Sequence, residues 1–190
     1  MSACFTTIGH SSRPLLELID MLREAKVSIL IDVRAFPRSR TNPAFNIDVL
    51  PAELERVQIS YRHLPALGGR RRAQQDVDNQ LNTMWRVRSF HNYADYALTP
   101  DFGAAFAELI RIGQEQCLSL MCSEAVWWRC HRRIIADYLV LNGYPVDHLM
   151  AIGHVDHAKP TPGARHLPDG KVIYPGQGND PASVAGDGSA

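Results

Sequence analysis

Seven groups able to do chemistry fall within twelve residues of this chain: Cys122, Glu124, Arg129, Cys130, His131, Arg132 and Arg133. They follow a short apolar run, Cys117 to Met121, and precede a segment in which Ala136, Tyr138, Leu139 and Leu141 are spaced for a helix. A thiol between a strand and a helix is placed for nucleophilic or sulfur chemistry, because helix amide dipoles and nearby arginines lower its pKa. Cys122 is therefore a catalytic candidate, and Glu124 is a candidate proton-transfer group two residues on. The tyrosine-phosphatase pattern is excluded by count: it needs five residues between cysteine and arginine, and six, Ser123 to Trp128, stand before Arg129.

Metal chemistry is a second reading. Cys122, Glu124, Cys130 and His131, with His10 or His63 from elsewhere, are ligand types suited to zinc or iron. No Cys-x-x-Cys pair is present, and the neighbours Cys130 and His131, if both helical, would point about 100° apart. No metal site is assigned on that basis.

Arginine supplies the third reading. The chain has 17 Arg and 3 Lys, and between Arg34 and Arg72 eight arginines face three acids, Asp48, Glu53 and Glu55. The guanidinium fork suits phosphate and carboxylate better than a lysine point charge does. Arg34, Arg38, Arg40, Arg70, Arg71 and Arg132 are thus candidate anion ligands, with Asp32 and Glu124 as acid/base or sugar-hydroxyl acceptors. Phe36, Phe45, Trp85, Phe90, Tyr93, Trp127 and Trp128 are interleaved with them, as recognition of a nucleotide or nucleic acid requires.

These residues need a scaffold that brings them together. Phe5 to Ile8 reads as a strand ending at Gly9-His10-Ser11, and Arg13-Pro14 opens a helix striped by Leu15, Leu18, Ile19 and Leu22. Val27 to Val33 reads as a strand buried on both faces, with Asp32 at its carboxyl end. Arg34 to Asn46 is a long loop. A short helix follows to Val57, then a strand over Ile59–Leu64 carrying His63. Arg70 to Ser89 takes no assignment. A turn or two of helix covers Ala94–Leu98, and Thr99-Pro100 caps a helix that Gly113 stops. After the strand and helix around Cys122, Val146 to Met150 forms a last strand.

The alternation of strands and helices predicts an α/β, Rossmann-like three-layer fold with a mostly parallel central sheet. Four strand ends then share one edge, where His10, Asp32 with Arg34, His63, and Cys122 with Glu124 would meet, the usual ligand crevice of such sheets. Residues 1–158 form a single domain on this reading, and 159–190, rich in Pro, Gly, Asp and Ser, a loosely structured tail.

Several blocks together resemble one family. Thr7-Ile8-Gly9-His10-Ser11, Asp32-Val33-Arg34 with Pro37-Arg38-Ser39, Asn42-Pro43 with Phe45-Asn46, His63-Leu64-Pro65-Ala66-Leu67-Gly68-Gly69, Tyr93-Ala94-Asp95-Tyr96, and Met121-Cys122-Ser123-Glu124 through Cys130-His131-Arg132 are similar, in order, to domain-of-unknown-function family 488. The resemblance spans roughly residues 6–150 and implies a bacterial or archaeal, intracellular α/β protein with no established activity. Where the family pattern has a proline before Trp-Arg-Cys-His-Arg, this chain has Trp127.

Composition narrows the classes. The 190 residues carry 20 cations and 20 acids, so wholesale electrostatic capture of nucleic acid is not expected. No run of about 18 apolar residues would span a bilayer, and no secretory signal opens the chain, which predicts a cytoplasmic protein without membrane contact. The four cysteines are expected to stay reduced. The leading expectation is an enzyme acting on a phosphate-bearing small molecule or nucleic acid. Its catalytic residues would be Asp32, Cys122 and Glu124, and its ligand-binding residues His10, Ser11, Arg34, Arg38, Arg40, His63, Arg70, Arg71, Cys130, His131 and Arg132. Two alternatives stand open: a non-catalytic nucleic-acid-binding module, and a metal-binding or thiol redox protein using Cys122, Cys130 and His131. The sequence assigns no cofactor and no oligomeric state.

Overall fold

In the computed structural model, which describes residues 4–176, apolar periodicity sorts the chain into strands and helices in the order β1 (Phe5–Gly9), α1 (Leu15–Glu24), β2 (Ile29–Asp32), α2 (Leu50–Glu55), β3 (Ser60–His63), α3 (Arg88–Tyr96), α4 (Pro100–Glu115), β4 (Leu118–Cys122), α5 (Arg132–Leu141), β5 (Val146–Ala151), β6 (His154–His157), β7 (Arg165–His166) and β8 (Val172–Ile173). The first six strands form one sheet in the order β3-β2-β4-β1-β5-β6, and β7 pairs with β8 apart from it. All pairings among β1 to β5 are parallel, and β6 closes one edge antiparallel to β5. This is the Rossmann-like three-layer α/β fold.

The layers follow from side-chain alternation along the strands. Ile29, Ile31, Leu118 and Leu120 face a core filled by α3, α4 and α5, while Ile8, Leu30 and Met121 face Leu18 and Leu22 of α1 and Leu50 and Leu54 of α2. Strands β1, β2 and β4 are buried along their whole length, as parallel strands covered on both faces must be. Their carboxyl ends, Gly9, Asp32 and Cys122, consequently emerge side by side at one rim, with His63 of β3 beside Asp32.

Several boundaries differ from the sequence reading. α3 begins at Arg88 rather than near Ala94, and α4 continues past Gly113 to Glu115. Gly113 does not stop the helix. A Cβ there would lie 2.2 Å from the Phe5 ring, so its lack of a side chain lets α4 rest against β1. Residues 159–176 are not a loose tail either. Thr161, Val172, Ile173 and Tyr174 are buried, and Tyr174 donates its hydroxyl hydrogen bond to Asp137 of α5 at 2.9 Å. A few anchoring residues suffice because they dock onto a core already formed; 177–190 lie outside the described residues. The expectation of four reduced thiols is also corrected: Cys4 and Cys117 are joined by a disulfide. They stand one residue before the paired Phe5 and Leu118, so strand register brings them together across 113 residues of sequence.

Among the described residues no helix is long and apolar enough to cross a membrane.

Candidate functional site

The β4 end opens into a cavity of about 510 Å³ at the carboxyl rim of the sheet. Five segments contribute to its wall, four connections and one helix. His10 comes from the turn after β1, Arg34, Phe36 and Arg38 from the loop after β2, Gly69 and Arg70 from the segment after β3, Phe90 from α3, and Cys122, Glu124, Arg129, Cys130 and His131 from the β4–α5 connection. Eight of the residues singled out from sequence therefore share one wall: His10, Arg34, Arg38, Arg70, Cys122, Glu124, Cys130 and His131.

The other six stand elsewhere. Asp32 is fully buried behind the wall and holds Arg34: its carboxylate accepts from Arg34 Nε at 2.9 Å and from Nη2 at 2.6 Å, and from the Tyr61 hydroxyl at 2.7 Å. A carboxylate so saturated acts as a counter-ion, and the sequence could not tell this from a catalytic placement. His63 lies outside the wall with its Nε2 2.9 Å from the Arg34 carbonyl. Arg71 turns away, binds the carbonyls of Pro65, Ala66 and Gly68, and stacks over Tyr96 at 3.8 Å. Arg40 is exposed on the loop and Ser11 sits in the β1 turn with φ 45°, neither on the wall. Arg132 lies beneath the wall.

Arg34 is fixed in turn by the Phe45 carbonyl and by His10, whose Nε2 is 3.2 Å from Nη1. The other ring nitrogen of His10 is 3.0 Å from the Ser11 carbonyl and must carry the proton, which leaves Nε2 to accept from the guanidinium. Burial first, then the Arg34 and Arg132 charges, hold the His10 pKa down to about 4, so the ring is neutral.

Beneath the cavity the two free thiols meet an imidazole. His131 Nδ1 stands 3.6 Å from Cys130 Sγ and 3.9 Å from Cys122 Sγ. Cys130 has an extended backbone (φ −125°, ψ 148°), while His131 is already in the helical region. The 100° divergence expected of two helical neighbours does not arise, and both side chains point at one spot. Arg132, only 1% exposed, touches Cys130 Sγ at 3.2 Å, Thr7 Oγ1 at 3.4 Å and the Glu124 carbonyl at 2.6 Å. Among the described residues it has no carboxylate partner. Burial would raise the Cys130 pKa, but the Cys122 hydrogen bond and Arg132 outweigh it and bring the thiol down to about 6; Cys122, whose proton that hydrogen bond holds and which is buried as well, is pushed up to about 12. Negative charge on the pair is therefore favoured on Cys130, opposite Arg132.

At the mouth, Arg38 pairs with Asp48 at 3.0 Å between exposed side chains, a contact worth little in water. Arg70 stacks 5.6 Å from the ring of Phe36, which is 69% exposed. Neither Arg70 nor Arg129 has a carboxylate partner among the described residues. Arg129 and Phe36 are absent from the ligand set read from sequence, although the first stands in the Cys122–Arg133 cluster and the second among the aromatics interleaved with the arginines. Among the described residues Glu124 supplies the one carboxylate of the wall.

The family model described as "Domain of unknown function DUF488" matches residues 14–139. No curated protein and no solved structure matches the chain.

Proposed function

The chain belongs to the DUF488 family, whose description names no activity, and from its cavity we propose that it is an enzyme that binds a nucleotide-sized, phosphate-bearing molecule at the carboxyl rim of the sheet and acts on it there. The observation that carries this reading is a cavity of about 510 Å³ walled by four arginines and one carboxylate. Small-molecule sites fall at roughly 300–1,000 Å³, and a site at this rim is where open α/β sheets hold ligands. Even after Asp32 and Asp48 are set against Arg34 and Arg38, Arg70 and Arg129 face Glu124 alone. An anion neutralises that excess, and guanidiniums grip phosphate oxygens through paired N–H donors. Phe36 with Arg70 offers a flat face for a base. A concave site of this volume favours a small molecule over a duplex, whose backbone needs an extended basic surface. Glu124, exposed and on the wall, is assigned the proton transfer.

Thermal unfolding with AMP, ATP, adenosine, inorganic phosphate and a short oligonucleotide tests it. The phosphate-bearing small molecules should raise Tm, by an amount equivalent to about 2.7 kcal/mol at a hundredfold excess over Kd, and adenosine should not. An R70A/R129A variant should keep its fold and lose the shift. Glu124→Gln should keep the shift and lose turnover of the stabilising compound. A shift that survives R70A/R129A, or one produced by the oligonucleotide alone, would sink the reading.

A further inference from the structure

We propose that Cys122, Cys130 and His131 form a three-ligand site for a thiophilic divalent cation of the zinc type, with the fourth coordination position open to the cavity. The site shares a wall with the anion cleft but does not depend on that reading. Sγ of both cysteines and a ring nitrogen of His131 lie within 4.8 Å of one another. A tetrahedral zinc with Zn–S of about 2.3 Å and Zn–N of about 2.0–2.1 Å sets its sulfur and nitrogen ligands about 3.6 Å apart. The two observed S···N distances are 3.6 and 3.9 Å. The S···N pairs are within a few tenths of an ångström of that spacing, and the two sulfurs, no more than 4.8 Å apart, draw together to close on an ion.

The imidazole is held in the orientation such a site needs. Its Nε2 is 3.2 Å from the Val33 carbonyl, so that nitrogen carries the proton and Nδ1 turns its lone pair toward both sulfurs. A metal-bound histidine is ordinarily fixed by this kind of N–H donation from the far side of the ring. The Tyr93 ring meets the imidazole edge-on at 5.0 Å. Gly69 closes the remaining side, where a Cβ would fall 2.4 Å from Nδ1, so nothing larger fits without displacing the ligand atom.

Charge points the same way. The Arg132 guanidinium is buried, has no carboxylate partner among the described residues, and donates to Cys130 Sγ at 3.2 Å. A buried cation needs an anionic partner, and a metal-bound thiolate is one that remains hydrogen-bond accepting. A Cys122–Cys130 disulfide would instead leave Arg132 with no negative partner among the described residues, which disfavours a redox pair. Two thiolates, a neutral imidazole and a vacant fourth position make the ligand set of a catalytic rather than a structural zinc site, and all three ligand residues line the cavity.

Cobalt(II) and zinc(II) are the probes. The full chain, stripped with chelator under reducing conditions, should bind one Co²⁺ with the intense near-ultraviolet absorption of thiolate-to-cobalt charge transfer and the visible bands of a tetrahedral ion, and stoichiometric Zn²⁺ should displace it. Cys122→Ser and Cys130→Ser should each abolish the charge-transfer band or cut it by half with at least a tenfold loss of affinity, and His131→Gln should weaken binding at least tenfold. Cys117→Ser should leave all of it unchanged. Circular dichroism identifies a variant that fails to fold; should Cys130→Ser do so by stranding Arg132, Cys122→Ser decides, since it keeps that partner. The proposal is overturned if folded wild-type chain shows no charge-transfer band, if the band survives Cys122→Ser unaltered, or if Cys117→Ser removes it. Metal binding without any Tm response to phosphate compounds sinks the anion reading and leaves this one standing, and the reverse result does the opposite.

Discussion

Asp32 shows how one residue type supports two different roles until its neighbours are known. A carboxylate at the end of a buried strand reads as a general acid or base, yet here it is the counter-ion of an arginine that is itself only 6% exposed. Replacing Asp32 with Asn strands the Arg34 charge and takes the charged acceptor from Tyr61. The expected cost is about 3–5 kcal/mol of folding stability, measured by urea unfolding. A loss under 1 kcal/mol, with turnover abolished, would return Asp32 to the chemistry. At this scale the sequence revealed groups that are neighbours in the chain: Cys122, Glu124, Cys130 and His131 stand together because the β4–α5 connection is short. It concealed the directions of side chains on separate strands. Arg71 belongs to the same arginine run as Arg70, and only the packing of Tyr96 separates the wall residue from the one that braces a turn.

Elements are legible where a period is strong and obscure where anchoring is sparse. The helices α1, α4 and α5 and the strands β1, β2 and β4 follow from apolar spacing. The β7–β8 hairpin does not, because two-residue strands carry no period and its hold on the domain rests on a few distant groups. Asp137 of α5 accepts from the Thr161 amide at 2.8 Å and from the Tyr174 hydroxyl at 2.9 Å, and Tyr174 in turn donates its amide to Asn82 at 3.0 Å. Burial raises the Asp137 pKa, and these hydrogen bonds oppose the rise. Tyr174→Phe removes one donor from a buried carboxylate and should cost about 1–3 kcal/mol. A chain ending at residue 158 should lose more, since it also uncovers Tyr138 and the apolar pocket of Val172 and Ile173. Guanidinium unfolding of both variants checks this; a truncated chain as stable as the whole would mean the segment is merely draped on the surface.

For the molecule as a whole, formal neutrality hides an uneven field: a cavity rich in guanidinium sits above a buried cation, and acidic conditions act on that arrangement through His10 and through His148. The His148 side chain is 1% exposed, stacks on Trp127 at 4.5 Å, and takes a hydrogen bond at Nδ1 from Thr7, whose hydroxyl is 3.4 Å from Arg132 Nη1. Burial chiefly, and Arg132 next, lower its pKa from 6.5 to about 4, while Asp156 and Asp147 pull the other way. The folded state therefore resists a proton that the unfolded chain accepts readily. Above pH 6.5 neither state binds it and the stabilisation is complete. Between 6.5 and about 4 the unfolded chain is protonated first, so folding stability falls as the pH drops, by up to about 3 kcal/mol from this one group. Below about 4 both states are protonated and the loss levels off. His148→Gln keeps an acceptor for Thr7 but cannot titrate. Its unfolding free energy, followed from pH 7 to pH 4, should decline less steeply than that of the wild type by that amount, and parallel curves would show that His148 is not the group that sets acid stability.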